Sequence, residues 1–149
     1  MRALLTRASL IAIVLLNAGC GGSPSSMPVI TITPWVPPAA LNPLVLSVTV
    51  KVTNKGSFVF LDSSGATTSK LIVSAKDKLD NPIGLPIEQD IKVAGWADGS
   101  SNPVPLNALQ KALYDNDKTK KVMFEVAVIC QKGTDLPGKV GDTETFTKP

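Results

Sequence analysis

The chain has 149 residues, of which 44% are hydrophobic and 18% charged, with a formal net charge of +3 and no histidine. The absence of histidine excludes a Ser-His-Asp triad, a Cys-His pair and a histidine-ligated zinc site. Arg2 and Arg7 are its two arginines and 5% of its residues are aromatic, so no basic, aromatic-rich face suits a nucleic acid. This composition favours a protein that is not an enzyme and has no cofactor, although it leaves a carboxylate or Ser-Lys mechanism open.

The first 19 residues have the organisation of a bacterial export signal. Arg2 and Arg7 supply positive charge, residues 8–16 form a short apolar run, and small residues precede Cys20. This order of segments is typical of a cleaved secretory signal. A permanent transmembrane helix is the weaker interpretation, because spanning a bilayer takes about 20 apolar residues.

The residues up to Cys20 resemble the lipobox of bacterial lipoproteins, in which a leucine, a small residue and Gly or Ala precede the cysteine. Ala18, Gly19 and Cys20 match this motif, whereas Asn17 displaces the leucine to Leu16. The resemblance implies that residues 1–19 are a signal peptide and that Cys20 carries diacylglycerol and a further acyl chain such as palmitate. Several acyl chains together anchor a protein stably, whereas a single chain binds a membrane only marginally.

The lipoprotein resemblance also implies a location. Gly21 follows the cysteine, and in enteric-type lipoproteins the lack of Asp at that position implies sorting to the outer membrane. We therefore expect a cell-envelope protein that lipid on Cys20 holds in the outer membrane, facing the periplasm. Removing 19 of the 149 residues leaves 130, whose 13 lysines and 12 acidic residues give a net charge of +1. The alternative to a lipoprotein signal is an ordinary cleaved signal, after which Cys20 carries no lipid.

Residues 20–43 are predicted to be the lipidated cysteine and a tether, because Gly, Ser and Pro dominate their composition. Residues 29–33 are the one β-like piece within this tether. Pro28 and Pro34 flank it, so it suits only an edge strand. The folded domain is predicted over residues 44–149.

The first half of that domain is predicted to begin with a hairpin. Apolar side chains alternate strictly over residues 44–53, which is the pattern of a half-buried strand. Residues 54–56 suit a turn, and residues 57–62 are predicted to be the returning strand. Alternation resumes over residues 70–76, and residues 77–84 have the composition of a loop.

The next segment contains the single helical pattern of the chain. We predict a strand over residues 87–96, a loop over residues 98–105 and a helix over residues 106–114. The helix spacing places three leucines on one apolar stripe, namely Leu106, Leu109 and Leu113.

The last strong strand signal covers residues 122–131, where Cys130 falls in register with the apolar face. Because lipid would consume Cys20, Cys130 is left without a disulfide partner, and the register favours its burial. Residues 133–141 are predicted to be a loop and residues 143–147 a final short strand.

Several short strands, one helix and no helical crossovers predict an all-β fold, an antiparallel β-sandwich. Within it, residues 70–96 resemble the middle of bacterial Ig-like domains, where a strand ends in Asp before a turn and the next strand. Asp80 stands where those domains usually have Gly. The resemblance implies an Ig-like or transthyretin-like sandwich and rests on Asp77, Asn81, Pro82, Gly84 and Ile87.

Two groups of carboxylates are candidate ion ligands. Residues 115–117 resemble the start of a calcium loop, but the chain lacks the later Gly and Glu of such a loop, which favours a turn. Asp77, Asp80 and Asp90 could converge at one end of the sandwich to bind an ion. The same residue types suit turns, where Asp bonds its own backbone, and both interpretations stay open.

Two further groups could carry nucleophilic chemistry. A Ser-Lys dyad could come from Ser69-Lys70 or from Ser74 and Lys76. Ser74 and Lys76 share the polar face of one predicted strand, but a solvated lysine there is a poor general base. Cys130 would need a neighbour that lowers the pKa of its thiol, and its apolar register favours an inert core position.

Three aromatic residues are candidates for a contact surface, because exposed aromatics often anchor interfaces. They are Trp35, Trp96 and Tyr114. The anchor, the tether and the lack of catalytic groups together favour a non-catalytic lipoprotein that acts as a protein-interaction or structural module and contacts another envelope protein. The alternative is a periplasmic module that binds a small ligand or an ion through loop carboxylates.

Overall fold

The computed structural model describes residues 26–38 and 44–149, so the predicted signal segment and Cys20 lie outside the described residues. The described part is mostly β-structure in antiparallel sheets with one short helix, which confirms the predicted all-β class. None of its helices is long and apolar enough to cross a membrane. The elements are β1 Val29–Trp35, β2 Ser47–Thr53, β3 Phe58–Leu61, β4 Ser63–Ser64, β5 Thr67–Thr68, β6 Lys70–Lys76, β7 Ile87–Asp90, β8 Ser101–Pro105, α1 Ala108–Asp115, β9 Lys121–Lys132 and β10 Gly138–Thr147.

Two sheets share one hydrophobic core. The smaller sheet has the order β1-β2-β8, and the larger has the order β10-β9-β6-β7. Strand β3 extends the larger sheet, because it pairs with β9 beyond the end of β6. Alternate residues of the long strands point inward, so valines of β2 meet aromatic and aliphatic side chains of β9. The inward residues of these two strands are Val48, Val50, Val52, Val122, Phe124, Val126, Val128 and Cys130.

Strand β1 belongs to the core and not to a tether. It pairs with β2 along its whole length, from Val29 opposite Thr53 to Trp35 opposite Ser47. Its inward residues are buried in the shared core, namely Ile30 and Ile32. The prediction that the folded domain begins at residue 44 is therefore wrong.

The predicted hairpin between β2 and β3 does not form. Asn54 and Gly56 have positive φ angles of 60° and 52°, and the amide of Lys55 donates to Asp98 Oδ1 at 3.0 Å. The chain thereby crosses from the smaller sheet to the larger, where Phe60 of β3 lies opposite Cys130 of β9. Both strands were predicted from the sequence, but a local pattern carries no information about which strand each one joins.

Three boundaries in the second half differ from prediction. The strand predicted over residues 87–96 ends at Asp90, although Ile91 and Val93 remain buried. The predicted loop over residues 98–105 contains β8, whose prolines are tolerated because β8 is an edge strand. The predicted loop over residues 133–141 gives way to β10 at Gly138, because β10 pairs with β9 in one long hairpin.

Side chains join the two sheets at both open sides. The amide of Ile32 in β1 donates to Asp142 Oδ2 of β10 at 2.9 Å. On the other side, Gln89 Nε2 of β7 donates to the carbonyl of Pro105 in β8 at 3.3 Å. These two contacts connect strands that belong to different sheets.

Candidate interaction surface

Helix α1 begins at a reciprocal capping box. Asn107 Oδ1 accepts from the Gln110 amide at 2.9 Å, and Gln110 Oε1 accepts from the Asn107 amide at 3.1 Å. This arrangement satisfies two amides that a helix start otherwise leaves unpaired. The first residue of the helix is therefore Ala108, two residues later than predicted.

The capping residue Gln110 also connects the helix to the larger sheet through hydrogen bonds of its side chain. Its side chain is buried, and Nε2 donates to the carbonyls of Leu71 and Ile87, each at 3.3 Å. One turn later, Tyr114 is buried with its ring centroid 6.0 Å from that of Phe146. The helix therefore buries a face that contains Gln110 and Tyr114.

The predicted apolar stripe of the helix is consequently wrong. Leu106 is buried, but it precedes the helix cap, whereas Leu109 is exposed and Leu113 half-buried. The prediction failed because a polar residue with three internal hydrogen bonds can occupy the core, and Gln110 does so. The Asn107 and Gln110 spacing is itself a sequence signal for a capping box, and it would have identified the helix start.

Exposed leucines lie on α1 and on the neighbouring loop, residues 77–86. A Cβ atom added at Gly84 would lie 3.8 Å from Leu113 Cδ1, which places this loop against the helix. We call the exposed set the leucine surface, and its members are Leu79, Leu85 and Leu109, with 72%, 84% and 67% of their area exposed.

Internal hydrogen bonds hold the loop that presents Leu79 and Leu85. Asp77 Oδ1 accepts from the amides of Leu79 and Asn81 at 2.8 and 2.9 Å, and Asp77 Oδ2 accepts from Asn81 Nδ2 at 3.0 Å. The Asn81 side chain and amide contribute most to lowering the pKa of the Asp77 carboxyl. The amide of Ile83 also donates to Ala75 of β6. The exposed leucines therefore project from a fixed backbone.

The three carboxylates that could have converged on an ion have separate partners. Asp77 caps its own turn, and Asp80 Oδ1 accepts from Lys121 Nζ at 2.8 Å, which lowers the pKa of Asp80. Asp90 Oδ1 accepts from Thr68 Oγ1 at 3.0 Å. Within residues 26–38 and 44–149, no group of three or more His, Cys, Asp or Glu residues is placed to hold a metal ion.

The segment that resembles the start of a calcium loop ends the helix with a turn. Asn116 Oδ1 accepts from the Lys118 amide at 3.0 Å, and the Asn116 carbonyl accepts from the Thr119 amide at 2.9 Å. Thr119 Oγ1 then donates to the Leu113 carbonyl at 2.9 Å. These contacts agree with the turn interpretation of residues 115–117.

The predicted aromatic contact surface is corrected for two of its three residues. Trp96 and Tyr114 are both buried and belong to the core cluster, so they do not present an exposed surface. The hydrophobic pattern of the sequence did not reveal that Trp96 and Tyr114 are buried, because both residues lie outside the strongly alternating strands. Trp35 ends β1 and keeps 47% of its area exposed.

The nucleophile candidates show no catalytic arrangement. Cys130 is fully buried, as its register predicted, and burial raises the pKa of its thiol. Ser74 is half-buried and Lys76 exposed, and no hydrogen bond joins these two described side chains.

Comparison of the chain with protein-family models, with curated proteins and with solved structures found no match.

Proposed function

We propose that this chain is a non-catalytic bacterial lipoprotein, held in the outer membrane by lipid on Cys20 and facing the periplasm, which binds another envelope protein through the leucine surface. The anchor rests on the lipobox residues Ala18, Gly19 and Cys20. Two antiparallel sheets around one core are also the layers of an Ig-like or transthyretin-like sandwich, and we assign the domain to that class.

The observation that carries the binding role is the exposure of Leu79, Leu85 and Leu109 on a fixed backbone. Burying one leucine side chain contributes about 1.5–3 kcal/mol. A fixed loop and a capped helix lose little conformational entropy when a partner covers them, so more of this contribution becomes affinity. Exposed apolar side chains on neighbouring elements are typical of protein-binding sites.

A comparison of surface variants tests this proposal. The full chain and its Leu85→Asp/Leu109→Asp variant would be crosslinked in native membranes, and the crosslinked partners identified by mass spectrometry. Thr33→Asp is the control, since Thr33 is exposed on β1 of the smaller sheet and lies outside the leucine surface. Intact mass of the same samples reports whether Cys20 carries lipid.

We expect the wild-type chain and the Thr33→Asp control to crosslink to the same envelope protein, and the double variant to lose that partner. Thermal unfolding should be unchanged in all three, because the replaced side chains are exposed. Equal recovery of the partner by the double variant would contradict the assigned surface. An unmodified Cys20 would contradict the anchor.

A further inference from the structure

The turn between β9 and β10, residues 133–137, forms one end of the domain. Strand β9 has 12 residues and is therefore about 40 Å long. Lys121, at its start, lies opposite Lys76, from which the loop bearing Leu79 and Leu85 departs. The β9–β10 turn lies at the other end of the strand and carries Leu136, with 92% of its area exposed.

The chain enters the domain at this same end. A Cβ atom added at Gly138, the first residue of β10, would lie 3.5 Å from Met27 Cε. Met27 and Leu136 also line one open hollow together with Phe58. The first described residues therefore lie beside the β9–β10 turn. We call the exposed apolar side chains here the tip surface, and they are Met27 and Leu136.

The distance from the lipid-bearing cysteine to this end is short. Six peptide units separate Cys20 from Ser26, and a chain of that length spans at most roughly 22 Å. An anchored Cys20 therefore keeps the tip surface close to the bilayer, whatever path the intervening residues take. The long tether predicted from the composition would have allowed the domain to stand far from the membrane.

We propose that the tip surface contacts the lipid bilayer and that Leu136 enters the interface between headgroups and acyl chains. This inference rests on the proposed lipid anchor at Cys20. One leucine is too small to hold a domain on a membrane from solution, but anchoring makes the contact intramolecular and raises its effective concentration. The turn and its flanks carry Lys132, Lys139 and Asp135, so their net charge of +1 does not oppose the approach of anionic headgroups. The contact would orient the leucine surface away from the membrane.

Quenching of tryptophan fluorescence by brominated lipid measures this contact. The lipidated full chain would be reconstituted into vesicles of phosphatidylethanolamine and phosphatidylglycerol with brominated acyl chains. Leu136→Trp reports on the tip surface. Leu85→Trp is the matched control, because Leu85 is similarly exposed at 84% but lies on the leucine surface. The emission of Trp35 and Trp96 in the parent chain supplies the background.

We expect several-fold stronger quenching of the tryptophan at position 136 than of the tryptophan at position 85. Equal quenching at the two positions, in protein whose mass shows lipid on Cys20, would overturn the bilayer contact and leave the proposed function intact. A mass that shows Cys20 unmodified would overturn both, so the two failures are distinguishable.

Discussion

The amide of Ile32 donates to Asp142 Oδ2 across 2.9 Å, and this contact joins the edge of the smaller sheet to the edge of the larger. Strands β1 and β10 are both edge strands, and an edge offers unpaired amides to any additional strand. The Asp142 carboxylate accepts a hydrogen bond from one such amide of β1. The two sheets are thereby linked without backbone pairing between them, and pairing with another chain is discouraged at this position.

Replacement of Asp142 by alanine should destabilise the domain. The variant leaves the Ile32 amide without its acceptor, and a hydrogen bond to a charged group contributes about 1.5–3 kcal/mol. Urea unfolding followed by circular dichroism measures the change. Asp142→Asn is the control, because its amide oxygen can still accept the bond, and it should lose less stability than the alanine variant.

A side chain at position 141 should destabilise the domain. A Cβ atom at this position would lie 2.1 Å from the carbonyl oxygen of Val126, so the backbone of β9 or β10 would have to move. We expect Gly141→Ala to lower the free energy of unfolding by about 1–3 kcal/mol, the usual cost of overpacking. Gly138→Ala, in the same strand, would meet Met27 Cε at 3.5 Å and the Cys130 carbonyl oxygen at 4.0 Å, both ordinary van der Waals contacts, and should be nearly neutral. Equal stability of the two variants would contradict this interpretation.

Gln110 should matter more for stability than any exposed position on α1. Gln110→Ala removes the donor to the carbonyls of Leu71 and Ile87 and breaks the capping box with Asn107. A buried polar group left unpaired costs about 1–3 kcal/mol. Chemical denaturation should show that loss, whereas Leu109→Ala on the adjacent exposed position should change stability little. Unchanged stability of the Gln110→Ala variant would mean that the hydrogen bonds of the Gln110 side chain do not stabilise the domain.

Asp62 should make stability depend on pH. Its Oδ1 accepts from the amides of Val93 and Ala94 at 2.7 and 3.1 Å, and these bonds lower the pKa of Asp62 below its ordinary value of 3.8. A lowered pKa in the folded state gives stability that is present above pH 3.8 and is lost as the pH falls through the folded-state pKa.

The stability difference between the wild-type chain and Asp62→Asn should therefore be larger at neutral pH than in strong acid. Urea midpoints measured across this range test the expectation. Asp117→Asn changes an exposed carboxylate after α1 and serves as the control. A difference for Asp62→Asn that does not vary with pH would contradict the role of its charge.

Calcium should leave the melting temperature of the domain unchanged. Asp77, Asp80 and Asp90 each have internal hydrogen-bond partners, and an ion that binds only the folded state would have to raise the melting temperature. Differential scanning fluorimetry with calcium and with a chelator measures this directly. A calcium-dependent rise would favour the alternative of an ion-binding module.

Part of the candidate site was accessible to sequence reasoning and part was not. The loop over residues 77–84 was predicted, since Asp, Asn, Pro and Gly favour turns through local hydrogen bonds and restricted dihedrals. The exposure of Leu109 was not predicted, because apolar residues at helical spacing normally face a core. Here Gln110 occupies the core instead, and its acceptors come from β6 and β7, which are distant in sequence.

The sequence by itself determined the all-β class, the strands β2, β6 and β9 and the burial of Cys130, because side chains alternate between the two faces of a strand and this period is visible locally. Only the tertiary structure decided that β3 pairs with β9 instead of β2, that β1 belongs to the core, and which face of α1 is buried. Each of these depends on contacts between residues far apart in the chain, and a local pattern does not encode the partner of a strand or the acceptor of a buried amide.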